Sequence, residues 1–99
     1  AERIAGLPQG AVVVNAARGT LVDDEALIAA LRSGQVGYAG LDVYDGEPAI
    51  HPGYLALEHV VLLPHLGSAT VEARDAMGHV VLDGIDAVLA GREPANLVR

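Results

Sequence analysis

The sequence contains no cysteine, so it can form neither a disulfide framework nor a thiolate zinc site. Phenylalanine and tryptophan are also absent and there are only 3 tyrosines, which leaves alanine, valine, leucine and isoleucine to build the core. There is no lysine, and 6 arginines stand against 13 acidic residues, giving a formal charge of -7 at pH 7. Binding to nucleic-acid phosphates needs clustered basic side chains. The composition therefore argues against a nucleic-acid partner.

Long hydrophobic runs are absent as well. No apolar run approaches the roughly 18 to 20 residues of a membrane-spanning helix, and the start, Ala1-Glu2-Arg3, lacks the layout of a signal peptide. We therefore expect a soluble, cytoplasmic protein with no membrane partner. The 99 residues allow at most one small domain. Because the sequence does not begin with methionine, we also expect a processed chain or a fragment of a longer one.

Strand and helix patterns alternate between residues 11 and 44. Residues 11–14 are a short β-branched run that predicts a first strand, and residues 36–44 predict a second. Between them, Asp23 is the expected N-cap of a helix with acidic residues in its first turn, and Gly34 is its expected end. Strand, helix and strand in this order predict a βαβ unit with parallel strands.

The rest of the chain adds one strand and one helix. Residues 60–63 are branched aliphatics stopped by a proline, which predicts a third strand that, like the first, is buried on both faces. The preceding loop, residues 45–58, is rich in turn formers, is long for a simple connection, and should contain a helical turn near residues 54–57. A last helix should begin near Ser68 or Thr70 and end at Gly91. The patterns predict an α/β fold with a parallel sheet of about three strands and covering helices.

Four polar residues lie at or just beyond the predicted strand ends: Arg18, Asp42, Glu47 and His65. The carboxyl ends of parallel strands share one edge of the sheet, which is where open α/β folds bind ligands. An arginine fork binds a carboxylate through two hydrogen bonds, and an imidazole exchanges a proton near neutral pH. A carboxylate behind the imidazole fixes its tautomer. Together these are the groups needed to hold and reduce an α-keto acid.

Each of these residues also has a purely structural interpretation. His65 alone could be a hydrogen-bonded residue at the edge of the core, and Asp42 could be a turn or cap residue. Arg18 and Glu47 could be solvated loop charges. A hydrolytic metal site is disfavoured, because no histidine pair has the spacing of a His-Glu-x-x-His motif, and no metal is predicted.

Three blocks of sequence follow one another at the predicted strand ends. They are Asn15-Ala16-Ala17-Arg18-Gly19, Gly40-Leu41-Asp42-Val43-Tyr44-Asp45-Gly46-Glu47-Pro48, and Leu63-Pro64-His65-Leu66-Gly67-Ser68-Ala69-Thr70. In order and spacing they resemble the signature blocks of the D-isomer-specific 2-hydroxyacid dehydrogenases, and of the glyoxylate and hydroxypyruvate reductases in particular. The resemblance implies a partial Rossmann-type sheet, NAD or NADP as cofactor, and a small 2-keto or 2-hydroxy acid as substrate.

The resemblance also implies a role for each matching residue. Arg18 would bind the substrate carboxylate, and His65 would act as the acid/base on the substrate oxygen during hydride transfer. Glu47 would pair with His65 and favour its protonated form, and Asp42 would contact the nicotinamide carboxamide. The other expected cofactor contacts are Ala16, Ala17, Arg18, His65, Gly67 and Ser68.

Parts of such an enzyme are missing from this sequence. It has no Gly-x-Gly-x-x-Gly turn to seat a pyrophosphate, no residue to choose between NAD and NADP, and no separate substrate domain. We therefore expect the C-terminal half of a cofactor domain, inactive alone. Residues 11–14 should then expose an apolar sheet edge that docks against the missing part of the chain or in a homodimer. A dinucleotide-sensing regulatory or oligomerisation module of the same fold is the alternative.

Overall fold

Three strands and two helices make up Ala1–Gly67, the first of two units in the computed structural model, which describes residues 1–98. In chain order they are α1 (Glu2–Ala5), β1 (Ala11–Asn15), α2 (Asp24–Ser33), β2 (Val36–Leu41) and β3 (Val60–Leu62). Short 3-10 turns lie at Gly19–Leu21 and Pro52–Tyr54. The second unit, from Ser68 onward, contains the long helix α3 (Val71–Leu89).

The helix α2 begins and ends where its capping residues predict. The Asp23 side chain accepts a hydrogen bond from the Ala26 backbone N–H at 3.0 Å, which satisfies one of the unpaired donors of the first turn. Asp24 and Glu25 follow in that turn, where the helix dipole favours negative charge. Gly34 ends the helix in the left-handed conformation, with φ of 77°. The predicted helix is confirmed.

The strands form one parallel sheet in the order β1-β2-β3. Val12 of β1 pairs with Tyr38 of β2. Val14, Gly40 and Val61 lie side by side across all three strands. The predicted βαβ unit with parallel strands is confirmed, and β1 lies at an edge of the sheet as expected.

Only one face of this sheet is covered within Ala1–Gly67. The core lies on that face, where α2 packs against β2 and the loop after it; its buried residues are Leu27, Ile28, Ala30, Leu31, Val36, Ala39, Leu41, Tyr44 and Tyr54. On the opposite face Val12, Val14, Tyr38 and Val61 are 62% to 73% exposed. The prediction that β1 and β3 are buried on both faces is therefore wrong for this unit, because α2 covers only one face of the sheet.

Three predicted boundaries move by a few residues. The strand β2 ends at Leu41 and not at residue 44. The Tyr44 N–H donates to the Glu47 side chain, so it is not available for pairing with a neighbouring strand. The strand β3 ends at Leu62, one residue earlier than predicted; Leu63 still donates to the Leu41 carbonyl, and Pro64 after it has no N–H to offer. The helical turn of the long loop lies at Pro52–Tyr54, earlier than predicted, because the His51 ring accepts from the Gly53 N–H and caps it there.

The second unit consists mainly of α3. Thr70 caps it by accepting a hydrogen bond from the Ala73 N–H at 3.1 Å, so the predicted start at Ser68 or Thr70 is confirmed. The helix ends at Leu89, and Gly91 follows with φ of 67°. Ala87 is buried, whereas large apolar side chains along the helix are exposed, namely Val71, Met77, Val80, Val81, Leu82, Ile85, Val88 and Leu89. Within residues 1–98, no helix combines the length and apolar character needed to cross a bilayer.

Candidate active site

The loops that leave β1, β2 and β3 start from the same edge of the sheet, because the strands are parallel. Arg18 lies on the first loop, Asp42 and Glu47 on the second, and His65 on the third. The structure thus brings the loops that carry all four predicted groups to one edge. Hydrogen bonds between the second and third loops then fix Asp42, Glu47 and His65, whereas the Arg18 side chain donates to Ala17 on its own loop.

His65 and Glu47 form a hydrogen-bonded pair. His65 Nδ1 lies 2.7 Å from Glu47 Oε2, and the other carboxylate oxygen, Oε1, accepts from the Tyr44 backbone N–H at 2.9 Å. The His65 side chain is 48% exposed and the Glu47 side chain 33% exposed, so the pair is reachable from solvent. Since Nδ1 faces Glu47, Nε2 is the ring nitrogen left for a ligand.

The environment of Glu47 keeps it ionised. The hydrogen bond with His65 is the main cause that holds the pKa of Glu47 below its ordinary value, followed by the hydrogen bond from the Tyr44 N–H. The charge of the Arg18 guanidinium lowers the pKa of Glu47 further, although it contributes least. Glu47 therefore interacts electrostatically with both His65 and Arg18.

The lowered pKa of Glu47 makes folding stability depend on pH in a defined direction. A carboxyl whose pKa is lower in the folded state stabilises the fold above its unfolded pKa, about 4.3, and this contribution is lost as the pH falls through the folded value. We expect Glu47→Gln to lower the thermal unfolding midpoint at pH 7, and the gap to the parent protein to close towards pH 3. A gap that stays constant between these pH values would contradict the pairing.

The Asp42 side chain holds the turn after His65. Its two carboxylate oxygens accept hydrogen bonds from the backbone N–H groups of Leu66, at 2.7 Å, and of Gly67, at 2.9 Å. Asp42 is only 8% exposed, and a carboxylate with two such partners is well satisfied when buried. His65 itself has φ of 57°, in the left-handed region that few non-glycine residues adopt. Asp42 thus fixes the two residues that follow the left-handed backbone of His65.

Asp42→Asn tests this backbone role. The amide replaces one acceptor oxygen with an NH2 donor, so a backbone N–H of the turn loses its partner and faces another donor. We expect the variant to lose about 1 to 3 kcal/mol of unfolding free energy, measured by denaturant titration. Asp45→Asn, a change at an exposed position on the same loop, is the matched control and should be neutral. Equal stability of the two variants would rule out the role.

Asn15 shapes the loop that carries Arg18. Its Nδ2 donates to the Arg18 carbonyl at 2.9 Å, and its Oδ1 accepts from the Ala17 N–H at 3.2 Å. Gly19 then passes so close to the β2 loop that a Cβ would lie 1.9 Å from the carbonyl carbon of Tyr44. Sequence reasoning missed Asn15 and Gly19 as site-shaping residues, although a polar residue at a strand end and a glycine after the arginine were the available signals.

Several of the residues predicted to contact a cofactor are small and exposed at this edge. Ala16 and Ala17 are exposed at the end of β1, and their short side chains leave the backbone accessible. Gly67 is exposed at the end of the turn held by Asp42. The Asp42 carboxylate has lone pairs beyond the two used by the turn, so it can accept a further donor. Ser68, the remaining predicted contact, belongs to the second unit.

A small cavity lies beside the acid/base pair. It has a volume of about 330 Å³ and is lined by Tyr44, Glu47, Pro48, Ile50, Pro64 and His65.

No group of three or more His, Cys, Asp or Glu side chains within residues 1–98 is arranged to hold a metal ion. His51 and His59 have structural partners instead: His51 Nε2 lies 3.0 Å from Glu25 Oε1, and His59 Nε2 lies 3.3 Å from the Leu31 carbonyl.

Comparison with known proteins shows the family to which this sequence is similar. A family model described as D-isomer specific 2-hydroxyacid dehydrogenase, NAD binding domain, matches residues 1–67. The glycerate dehydrogenase of Hyphomicrobium methylovorum is 52% identical over 90 residues, which are 91% of this chain and 28% of the relative. More than half of this chain therefore matches one family model.

Solved structures of the same family share the fold of this chain. A D-isomer-specific 2-hydroxyacid dehydrogenase from a Polaromonas species superposes with a TM-score of 0.86 at 52% identity, covering 99% of this chain and 31% of that one. The NADPH-dependent glyoxylate/hydroxypyruvate reductase of Sinorhizobium meliloti, in complex with NADP and malonate, superposes with a TM-score of 0.80 at 40% identity, covering 85% and 26%. The predicted partial Rossmann-type sheet is confirmed, and this chain spans less than a third of each of these relatives.

Proposed function

Because this chain belongs to the D-isomer-specific 2-hydroxyacid dehydrogenases, we propose that it is part of an enzyme that transfers a hydride between NAD(P)H and a small 2-keto acid such as glyoxylate or hydroxypyruvate. The observation that carries the proposal is the His65–Glu47 pair at 2.7 Å, on the same sheet edge as Arg18. An acid/base pair and a carboxylate-binding cation on one edge match the chemistry of a 2-keto acid.

In the proposed reaction His65 moves the proton. Glu47 occupies Nδ1, so Nε2 donates a proton to the substrate carbonyl oxygen as that oxygen gains negative charge during reduction. In the oxidising direction the same nitrogen accepts the proton of the hydroxyl group. Glu47, kept ionised by its lowered pKa, stabilises the imidazolium and fixes the ring orientation.

Arg18 binds the substrate carboxylate. It is exposed, and its guanidinium donates a hydrogen bond from Nη1 to the neighbouring Ala17 carbonyl, at 2.6 Å. A guanidinium has five N–H donors, so the fork keeps donors for a bidentate contact with a carboxylate. Two hydrogen bonds in a plane would orient the keto acid with its carbonyl towards His65.

The cofactor-binding role of this edge is part of the proposal. NAD(P)H would supply the hydride when bound. Ala16, Ala17 and Gly67 would line it through their accessible backbone, and the Asp42 carboxylate would accept a hydrogen bond from the carboxamide. The same Asp42 then serves both the cofactor and the turn next to His65.

The exposed surfaces support docking of this chain against another part of the protein or a second copy of itself. The edge strand β1 and the uncovered sheet face expose Val12, Val14, Tyr38 and Val61. Contiguous exposed apolar surface and an unpaired strand edge favour association. Size-exclusion chromatography and native mass spectrometry of the 99-residue chain should show an assembly, and a stable monomer of 10.2 kDa would contradict this.

The proposed activity is tested with the complete polypeptide that carries this sequence. Glyoxylate and hydroxypyruvate are supplied with NADH or NADPH, and turnover is followed by loss of nicotinamide absorbance. We expect turnover by the complete polypeptide and none by the 99 residues alone, which contain no Gly-x-Gly-x-x-Gly turn. Tight binding of NAD(P)H without turnover would favour the dinucleotide-sensing module instead.

A further inference from the structure

Tyr44 lies where the loops after all three strands meet. It is buried, with 6% of its surface exposed, although its aromatic ring carries a polar hydroxyl. That hydroxyl lies 2.9 Å from the Leu41 carbonyl oxygen and 2.8 Å from the Leu63 carbonyl oxygen. A buried phenol needs a hydrogen-bond partner, and here the two acceptors are the last residue of β2 and the residue that follows β3.

The Leu63 carbonyl is the important partner because Leu63 directly precedes the Pro64-His65 step. The N–H of Leu63 also donates to the Leu41 carbonyl at 2.9 Å. The Tyr44 hydroxyl thus extends the connection between β2 and β3 beyond their last paired residues. Burial raises the pKa of Tyr44, so the hydroxyl stays protonated and able to donate.

The backbone of the same residue holds the other member of the acid/base pair. The Tyr44 N–H donates to Glu47 Oε1 at 2.9 Å, while Glu47 Oε2 faces His65 Nδ1 at 2.7 Å. The side chain of Tyr44 therefore ties down the segment that leads to His65, and its main chain ties down Glu47. Gly19, next to Arg18, packs directly on the Tyr44 carbonyl group.

We propose that Tyr44 is a positioning residue for the acid/base pair, whose hydroxyl sets the direction in which the chain leaves β3 and so brings His65 into register with Glu47. The expected effect of Tyr44 on turnover rests on the proposed function, whereas its effect on the His65–Glu47 pair does not. Tyr44 does not touch the reacting atoms; it acts through the Leu63 carbonyl and through Glu47.

The test removes only the hydroxyl, with Tyr44→Phe in the complete polypeptide. We expect kcat for keto-acid reduction to fall about 3- to 10-fold, as for the loss of one buried hydrogen bond, with KM nearly unchanged. Because Tyr44 acts through the pair, the same change made in a Glu47→Gln background should have little further effect. Tyr54→Phe is the matched control: it also removes a buried hydroxyl, hydrogen-bonded to Asp24 at 2.7 Å, and should lower stability without changing kcat.

A second readout needs no turnover. The hydrogen bond with His65 is the main cause of the low pKa of Glu47, so a loosened pair should let that pKa rise towards its ordinary value. Titration of the Glu47 carboxyl by ¹³C NMR should show this rise in Tyr44→Phe and not in Tyr54→Phe. A raised pKa of Glu47 without any turnover would support the positioning role and refute the proposed function.

Two results would overturn the inference. One is a Glu47 carboxyl that titrates identically in Tyr44→Phe and in the parent protein. The other is a loss of kcat of the same size in the parent and Glu47→Gln backgrounds, since independent effects of that kind mean that Tyr44 supports the fold and not the pair.

Discussion

Replacing His65 with asparagine should lower kcat for keto-acid reduction by about 100- to 10,000-fold, the usual contribution of a positioned acid/base. An asparagine amide cannot replace the imidazole as the proton donor to the substrate oxygen. KM for the keto acid should change much less, because the substrate carboxylate is held by Arg18 in the proposed site. The measurement is steady-state kinetics of the complete polypeptide with glyoxylate and NAD(P)H.

Asparagine is chosen because of the backbone at this position. His65 has φ of 57°, and asparagine is one of the few non-glycine residues that adopt the left-handed region readily. Most other replacements would add strain to the turn that Asp42 holds and confuse a folding defect with a chemical one. His65→Asn should therefore keep the unfolding midpoint within a few degrees of the parent protein.

The control for His65→Asn is His59→Asn. His59 precedes β3, at the end of the strand opposite to His65, and its ring lies 3.3 Å from the Leu31 carbonyl. This variant should retain normal kcat with a small loss of stability. If His65→Asn turned over as fast as His59→Asn, the proton would come from another group and the proposed mechanism would be wrong.

The order of the strands and the loops that carry the site could be predicted from local patterns. A helix with Asp23 before it and Gly34 after it is specified by short-range capping. The β-branched run before it and the small-residue strand pattern after it then leave a right-handed parallel crossover as the expected arrangement. Parallel strands place their carboxyl ends on one edge, so the convergence of Arg18, Glu47 and His65 follows from the chain order alone.

The supporting contacts could not be predicted in the same way. Asp42 accepts from Leu66 and Gly67, which lie more than twenty residues further along the chain, and such pairing depends on the three-dimensional path of two loops. The pattern of Tyr44 is that of a strand residue, yet its N–H is taken by Glu47. Propensity describes the backbone of one segment, whereas these hydrogen bonds are decided between segments.

The uncovered sheet face shows a second limit. The exposed face carries Val12, Val14 and Val61. Such β-branched side chains are typical of strands that are buried on both faces. Within Ala1–Gly67, however, α2 covers one face only. The sequence therefore predicts more burial than this unit provides, and the difference is the physical basis for the proposed association.

Arg18→Gln should lower kcat/KM for glyoxylate by about 100- to 1,000-fold, since two charge-assisted hydrogen bonds to the substrate carboxylate are lost. Most of the loss should appear in KM if the contact is equally strong in the ground state and the transition state. Arg18→Lys should fall between Arg18→Gln and the parent protein, because lysine keeps the charge but loses the planar fork.

The matched control is Arg32→Gln, which removes an exposed arginine from the last turn of α2, away from the carboxyl edge of the sheet. It removes the same charge from the chain and should leave kcat/KM unchanged. The role of Arg18 is further isolated with an aldehyde substrate that lacks a carboxylate, for which Arg18→Gln and the parent protein should turn over equally slowly. If Arg18→Gln instead slowed both substrates by the same factor, Arg18 would act through Glu47, whose pKa its charge lowers, and not as the carboxylate anchor.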